Sequence, residues 1–339
     1  MRLISALKRQ PLDRPPIWFM RQAGRYLPEY QELRSRHSFE EAMRTPSLAA
    51  EITLQPTRRF PLDAAIVFAD IMTPLPGMGV PIEFTPGPRL TPLRLDEVAR
   101  LPVFEPTQVD FVAETLSIVR GALDQKIAVI GFAGGPATML AYLLEGGGSQ
   151  HFVGLRAAMH SDAVGEALDR LAAMTRAYLA LQLEGGADVV QLFDTWAGLL
   201  SREQFTRWAL PAAQKALAGL GVPTIYFAPG ATHLLDLFHL VGATAHGVDW
   251  RLPLAKAWRL VGESWPLQGN LDPAVLLTNP DRVRAATVKV LEEAGGRLGH
   301  IFGLGHGIFP GTPLPNVNAM ITAVQEWRGR SVDETRQAI

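Results

Sequence analysis

The stretch IAVIGFAGGPATMLAY, residues 127–142, carries the fold in miniature. Residues 127–132 are apolar without alternation, glycines and a proline follow, and a helical pattern begins. A strand that is apolar on every residue is covered on both faces, which suits a parallel sheet under helices and not a half-exposed antiparallel one. Outward from it the same unit recurs at 16–20 (PIWFM), 64–69 (AAIVFA), 187–193 (ADVVQLF), 223–228 (PTIYFA), 245–248 (AHGV), 266–269 (PLQG) and 300–304 (HIFGL). The sixth and seventh runs are the shortest. Amphipathic patterns lie between. Val164, Leu168, Leu171, Met174, Tyr178 and Leu181 share one helix face that stops at Gly185 and Gly186. A second helix starts at Asn279 and Pro280, carries Val283, Thr287, Val290, Leu291 and Ala294, and ends at Gly295. A third runs through Val317, Met320, Ile321, Val324 and Trp327.

Eight such units predict an α/β protein, a single (β/α)8 TIM-type barrel over 1–339, with a doubly wound sheet as the rival. Residues 71–106 break the rhythm. Prolines 74, 76, 81, 86, 88, 92, 102 and 106 oppose helix and ladder alike, so the segment reads as an insertion after strand two that covers part of the pocket. Residues 329–339 read as a polar, frayed tail.

Composition removes several classes. With 339 residues, 47% hydrophobic and 19% charged, the chain stocks one large core that needs no disulfide or structural metal. Cysteine is absent, which excludes a disulfide scaffold, a thiol nucleophile and a redox dithiol, and fits a cytoplasmic protein. The balance of 32 basic and 33 acidic residues offers no overall attraction to nucleic acid or anionic membrane. Two long uncharged stretches, 127–144 and 216–235, are interrupted by glycine and proline and do not read as spans. Lys8 and Arg9 stand where a signal peptide needs its apolar run.

A barrel presents its chemistry just past the carboxyl ends of its strands. There the chain places Arg21 and Arg25 (MRQAGRY), Asp70 (FAD), Tyr142, Asp194 and Thr195 (FDTWAG), and His306 (GLGHG). Gly24 and glycines 303, 305 and 307 would let the backbone turn sharply and a ligand come close. Each residue also has a plain structural reading. The arginines fit pairing with Asp13 or Glu29, the aspartates fit helix caps, and Tyr142 fits a packed ring. Other motifs carry less. GFAGGP and EGGGS lack the lysine of a phosphate loop, and no G-x-S-x-G elbow exists. His233, Asp236 and His239 fall on different sides of a helix, which favours structural roles over a metal.

PPIWFMRQAGRYLPEY (15–30) and GFAGGPATMLAYLLEGGGS (131–149) resemble the two signature segments of the uroporphyrinogen decarboxylase family, and the likeness continues through FAD, LFDTWAG and LGHGIFPGTP. It covers about residues 4 to 328. The resemblance implies a (β/α)8 barrel, a homodimer, no cofactor and no metal. It also implies conversion of uroporphyrinogen III to coproporphyrinogen III by loss of four acetate carboxyls as CO2. It assigns substrate contacts to Arg21, Arg25, Asp70, Tyr142, Thr195 and His306, with Asp70 and Arg21 catalytic. An ionised Asp70 would face the pyrrole N–H groups and stabilise the cation formed when a ring carbon is protonated. Arg21, Arg25 and His306 would hold the acidic arms. Two rivals remain at this level: a zinc-dependent thiol or corrinoid methyltransferase of the same superfamily, which the missing cysteines oppose, and a non-catalytic tetrapyrrole carrier, which would need the arginines but not Asp70.

Overall fold

The computed structural model describes residues 1–84 and 87–328. The polar tail expected at 329–339 lies outside them. Among the described residues nine strands occur in chain order: β1 (Ala64–Ile66), β2 (Glu83–Phe84), β3 (Pro88–Arg89), β4 (Ala128–Gly134), β5 (Val189–Phe193), β6 (Thr224–Phe227), β7 (Ala245–Gly247), β8 (Leu267–Gln268) and β9 (His300–Ile301). Seven form one curled parallel sheet, β1-β4-β5-β6-β7-β8-β9, one strand short of the eight of a TIM-type barrel but with its sequential parallel order. Neighbours in sequence are neighbours in the sheet, so the doubly wound rival, which needs a reversal of strand order, is overturned.

The first predicted run is not an extended strand. It makes a single parallel bridge, Ile17 with Phe302. The Phe302 N–H donates to Pro16 O at 2.9 Å on one side, and the Asp63 N–H donates to Ile17 O at 2.9 Å on the other. Residues 16–18 thus sit between the β9 and β1 edges of the sheet. Burial follows the pattern read from sequence: all seven residues of β4 are buried.

The helices begin and end where their chemistry directs. Val164–Glu184 buries Leu168, Leu171, Met174 and Tyr178, each side chain contributing about 1.5–3 kcal/mol of apolar transfer. Pro280–Ala294 starts with the Asn279 side chain accepting from the Arg282 N–H and ends at Gly295 with φ 58°. Among the described residues no helix is long and apolar enough to cross a membrane.

Residues 71–106 hold more regular structure than their prolines suggest. Leu75–Met78 is a 3-10 turn, β2 and β3 form a two-residue antiparallel ladder, and Leu95–Ala99 is α-helical. That helix fits because it lies in the proline-free interval between Pro92 and Pro102, and the Glu97 carboxylate accepts from the Arg94 N–H at its start. The segment is tied down: the Leu90 and Leu93 N–H groups donate to Gly146 O and Leu143 O, at the end of the helix Pro136–Glu145 that carries Tyr142.

Candidate active site

The turn after residues 16–20 is pinned by a residue that the sequence did not single out. Buried Gln22 donates through Nε2 to Ala64 O at 2.9 Å and accepts from the Phe19 N–H at 3.2 Å, tying the turn to β1. Arg21 then takes the left-handed conformation with φ 63°, a strained choice for a side chain with a Cβ. Its side chain lies across Gly307, where an added Cβ would stand 2.5 Å from Arg21 Cδ. The expected role of the glycines is corrected in one respect. Gly24, Gly303, Gly305 and Gly307 do not adopt positive φ; they serve close approach alone.

Arg21 and Arg25 are exposed and, among the described residues, have no carboxylate partner. The acids that might have paired with them are engaged elsewhere, Asp13 with Arg2 and Glu29 with Arg59 at 2.8 Å. Among the described residues two guanidiniums without a carboxylate partner therefore leave the turn after residues 16–20.

Asp70 follows β1. Its Oδ1 accepts from the Met72 N–H at 2.9 Å, and its own N–H donates to Thr73 Oγ1 at 3.1 Å, so the cap reading holds for one oxygen. Oδ2 accepts no hydrogen bond from the described residues. Burial pushes the Asp70 pKa above the usual carboxylate range, while the Met72 N–H and the Arg21 charge pull it back. Tyr142 is partly buried, its ring edge-on to Phe152 at 5.7 Å and tilted to Trp196 at 6.3 Å. Burial raises its pKa, with the charge of Asp70 adding to the shift and that of Arg21 opposing it.

Thr195 and Trp196 follow β5, on a loop held from below by Asp194. This carboxylate is fully buried. Oδ1 accepts from Thr138 Oγ1 at 2.8 Å and Thr138 N at 3.2 Å, and Oδ2 accepts from the Tyr226 hydroxyl at 3.1 Å. Thr138 Oγ1 in turn accepts from the Trp196 N–H at 3.0 Å. Asp194 is thus a brace between barrel and loop and does not reach the mouth as the strand-end list implied. A Cβ at Gly135 would stand 2.5 Å from it, which is why that position is glycine. The Thr195 hydroxyl makes no hydrogen bond within the described residues.

His306 is partly buried and edge-on to Trp250, with centroids 6.3 Å apart. Burial, then the charges of Arg21 and Arg251, push its pKa below 6.5, with Asp249 opposing. At neutral pH it therefore offers an N–H donor without a charge of its own. Beneath the mouth lies an aromatic floor that went unnoticed in the sequence: Phe193 stands edge-on to Phe132 at 5.5 Å and to Phe227 at 6.2 Å. Its only signal was one Phe at or next to the end of each of three runs. Among the described residues no group of three or more His, Cys, Asp or Glu is placed to hold a metal ion. His233 instead bonds Leu200 O at 2.9 Å and Asp236 pairs with Arg202.

A curled parallel sheet with guanidiniums, a carboxylate, a phenol and an imidazole following its strands defines a TIM-barrel-type protein, a fold whose enzymes carry their sites at that edge. The chain belongs to the uroporphyrinogen decarboxylase (URO-D) family, whose model matches residues 1–327. Relatives named uroporphyrinogen decarboxylase include one from Roseiflexus sp. (strain RS-1), 43% identical, covering 96% of this chain and 98% of that protein. Another, from Coxiella burnetii (strain RSA 493 / Nine Mile phase I), is 43% identical, with 96% and 94% covered. Among solved structures, a methyltransferase from Methanosarcina mazei superposes with TM-score 0.81 at 24% identity, covering 96% of this chain and 97% of that one, a likeness of fold.

Proposed function

We propose that this protein removes the four acetate carboxyls of uroporphyrinogen III as CO2, giving coproporphyrinogen III, without a cofactor. Full-length family membership supports tetrapyrrole decarboxylation. The observation that supports the chemistry is a half-bonded carboxylate, Asp70, within reach of the charge of Arg21, a guanidinium with no carboxylate partner among the described residues.

The bond to be broken joins an acetate methylene to its carboxyl, and its electrons need an acceptor. Protonation of a pyrrole α-carbon makes the ring that acceptor. CO2 leaves, the pair moves into the ring, the methylene takes a proton to become methyl, and the α-carbon returns its proton. The free Oδ2 of Asp70 accepts from pyrrole N–H groups and stabilises the cation where it forms, a kind of effect worth about 10²–10³ in rate. Arg21 and Arg25 bind acidic arms at about 1.5–3 kcal/mol per charge-assisted bond. Tyr142, Thr195 and neutral His306 orient the substrate with hydrogen bonds. Arg21 is the candidate proton carrier, although an always-protonated guanidinium is a weak acid. The chain acts as a single barrel domain completed by residues 16–18, with 71–106 as a lid, in a cytoplasmic homodimer.

The test is anaerobic incubation with enzymatically generated uroporphyrinogen III and chromatography of the oxidised products. Porphyrins with seven to four carboxyls should accumulate. Asp70→Asn should retain porphyrin binding and lose at least about a hundredfold in turnover; unchanged CO2 release removes Asp70 from the mechanism. Because catalysis needs the ionised form, activity should fall as pH drops through a pKa above the usual carboxylate range.

A further inference from the structure

Past β7 the chain runs Val248, Asp249, Trp250, Arg251, at the same carboxyl edge as the groups above. Asp249 is buried and Arg251 is not: their side chains are 5% and 50% exposed. Asp249 Oδ2 accepts from Arg251 Nη1 at 2.8 Å and from the Gly230 N–H at 2.6 Å, while Oδ1 accepts from the Arg251 N–H at 2.9 Å. One guanidinium nitrogen is therefore tethered from behind. The remaining donors bond nothing among the described residues. The Trp250 ring lies 4.2 Å from Arg251 Cζ and holds the guanidinium against an aromatic face.

This differs from a surface ion pair. In Arg202–Asp236 both partners are exposed, 52% and 45%, and the fork is satisfied on both nitrogens. At Arg251 the carboxylate divides its two oxygens among backbone and side-chain donors, and the cation keeps an open side. The His306 loop is fitted to this unit. His306 stands edge-on to Trp250, and a Cβ at Gly305 would stand 2.5 Å from Trp250 N. Around the sheet, residues 16–18, β9, β8 and β7 are consecutive neighbours, so Arg21, His306 and Arg251 occupy one arc of the rim. Tyr142 and Thr195, after β4 and β5, occupy another.

We propose that Arg251 is a further substrate-binding residue, gripping one acidic arm of the macrocycle on the side of the mouth away from Tyr142. This rests on reading the site as one for a polycarboxylated tetrapyrrole. A ring with acidic arms around its whole edge needs donors around the rim, and Arg21 and Arg25 leave from a single turn.

Anaerobic steady-state kinetics on uroporphyrinogen III for the full chain, Arg251→Met and Arg251→Lys test it. Methionine keeps the stem against Trp250 and removes the charge; KM should rise about tenfold, equal to about 1.4 kcal/mol, with kcat falling far less. Lysine should recover part of that loss. The thermal midpoint of Arg251→Met should stay within roughly 1 °C of that of the unaltered chain. An unchanged KM, or a loss confined to kcat and thermal midpoint, overturns the proposal. Should the unaltered chain release no CO2, the functional reading fails instead; turnover by the unaltered chain with equal KM in Arg251→Met defeats the Arg251 proposal alone.

Discussion

Replacing Gly307 with alanine isolates the placement of Arg21 from every other property of the site. The new Cβ would stand 2.5 Å from Arg21 Cδ, 2.9 Å from Cγ and 3.0 Å from Nε. Carbon atoms in contact need about 3.5 Å, so the Arg21 stem must retreat by about 1 Å. Its backbone cannot follow, because Arg21 is already held at φ 63° by the Gln22 bonds. A displacement of this size can cost up to about 10²-fold when it misplaces a group that orients substrate. Loss of one charge-assisted bond alone, about 1.5–3 kcal/mol, corresponds to roughly 10- to 150-fold in kcat/KM. Gly307 does not use positive φ, so alanine should leave stability equal or raise it by up to about 1 kcal/mol. The expected signature is a protein that melts normally and decarboxylates poorly. Gly311→Ala, whose Cβ would meet nothing within 4 Å, is the control and should match the unaltered chain in both measurements. A Gly307→Ala protein with kcat/KM within about twofold of the unaltered chain would refute the reasoning that Arg21 acts from the position seen here.

Two further outcomes concern stability. Fully buried His246 has no hydrogen-bond partner among the described residues on either ring nitrogen, and burial pushes its pKa down to about 3 from 6.5. The unfolded chain then binds the extra proton between those values, so stability is full above pH 6.5 and falls as pH drops. At pH 5 the loss from this residue is about 2 kcal/mol. His246→Leu should shrink the difference between urea unfolding free energies at pH 7 and pH 5 by about that amount; an undiminished difference would rule His246 out as its source. Asp194→Ala strands the Thr138 and Tyr226 hydroxyls in the interior. It should lower stability by about 2–4 kcal/mol, whereas Thr195→Val should stay within about 0.5 kcal/mol. Equal melting of the two variants would remove the brace role.

The residues of the mouth were legible because strand-end position is a linear property. Once the apolar runs are found, the segments that follow them leave the same edge of the sheet, and Arg21, Asp70, Tyr142, Thr195 and His306 were singled out that way. Arg251 follows a run in the same sense, yet β7 is a three-residue strand containing a histidine and a glycine, too short for its carboxyl end to announce a site. Asp194 was found for the wrong reason. Strand-end position cannot distinguish a carboxylate that turns to the mouth from one that turns inward to Thr138 and Tyr226.

Taken alone, the sequence determined the periodic features: eight apolar runs, the helices between them, the caps at Asn279 and Gly295, and a core without disulfides. These depend on local chemistry and on near neighbours along the chain. Only the tertiary structure decided which charges are already spoken for, that Gly307 makes room for Arg21, that His306 is neutral, and that Asp249 tethers Arg251 from behind. Those outcomes depend on distances between segments far apart in the chain and on how much water each group keeps, neither of which is encoded at any single position.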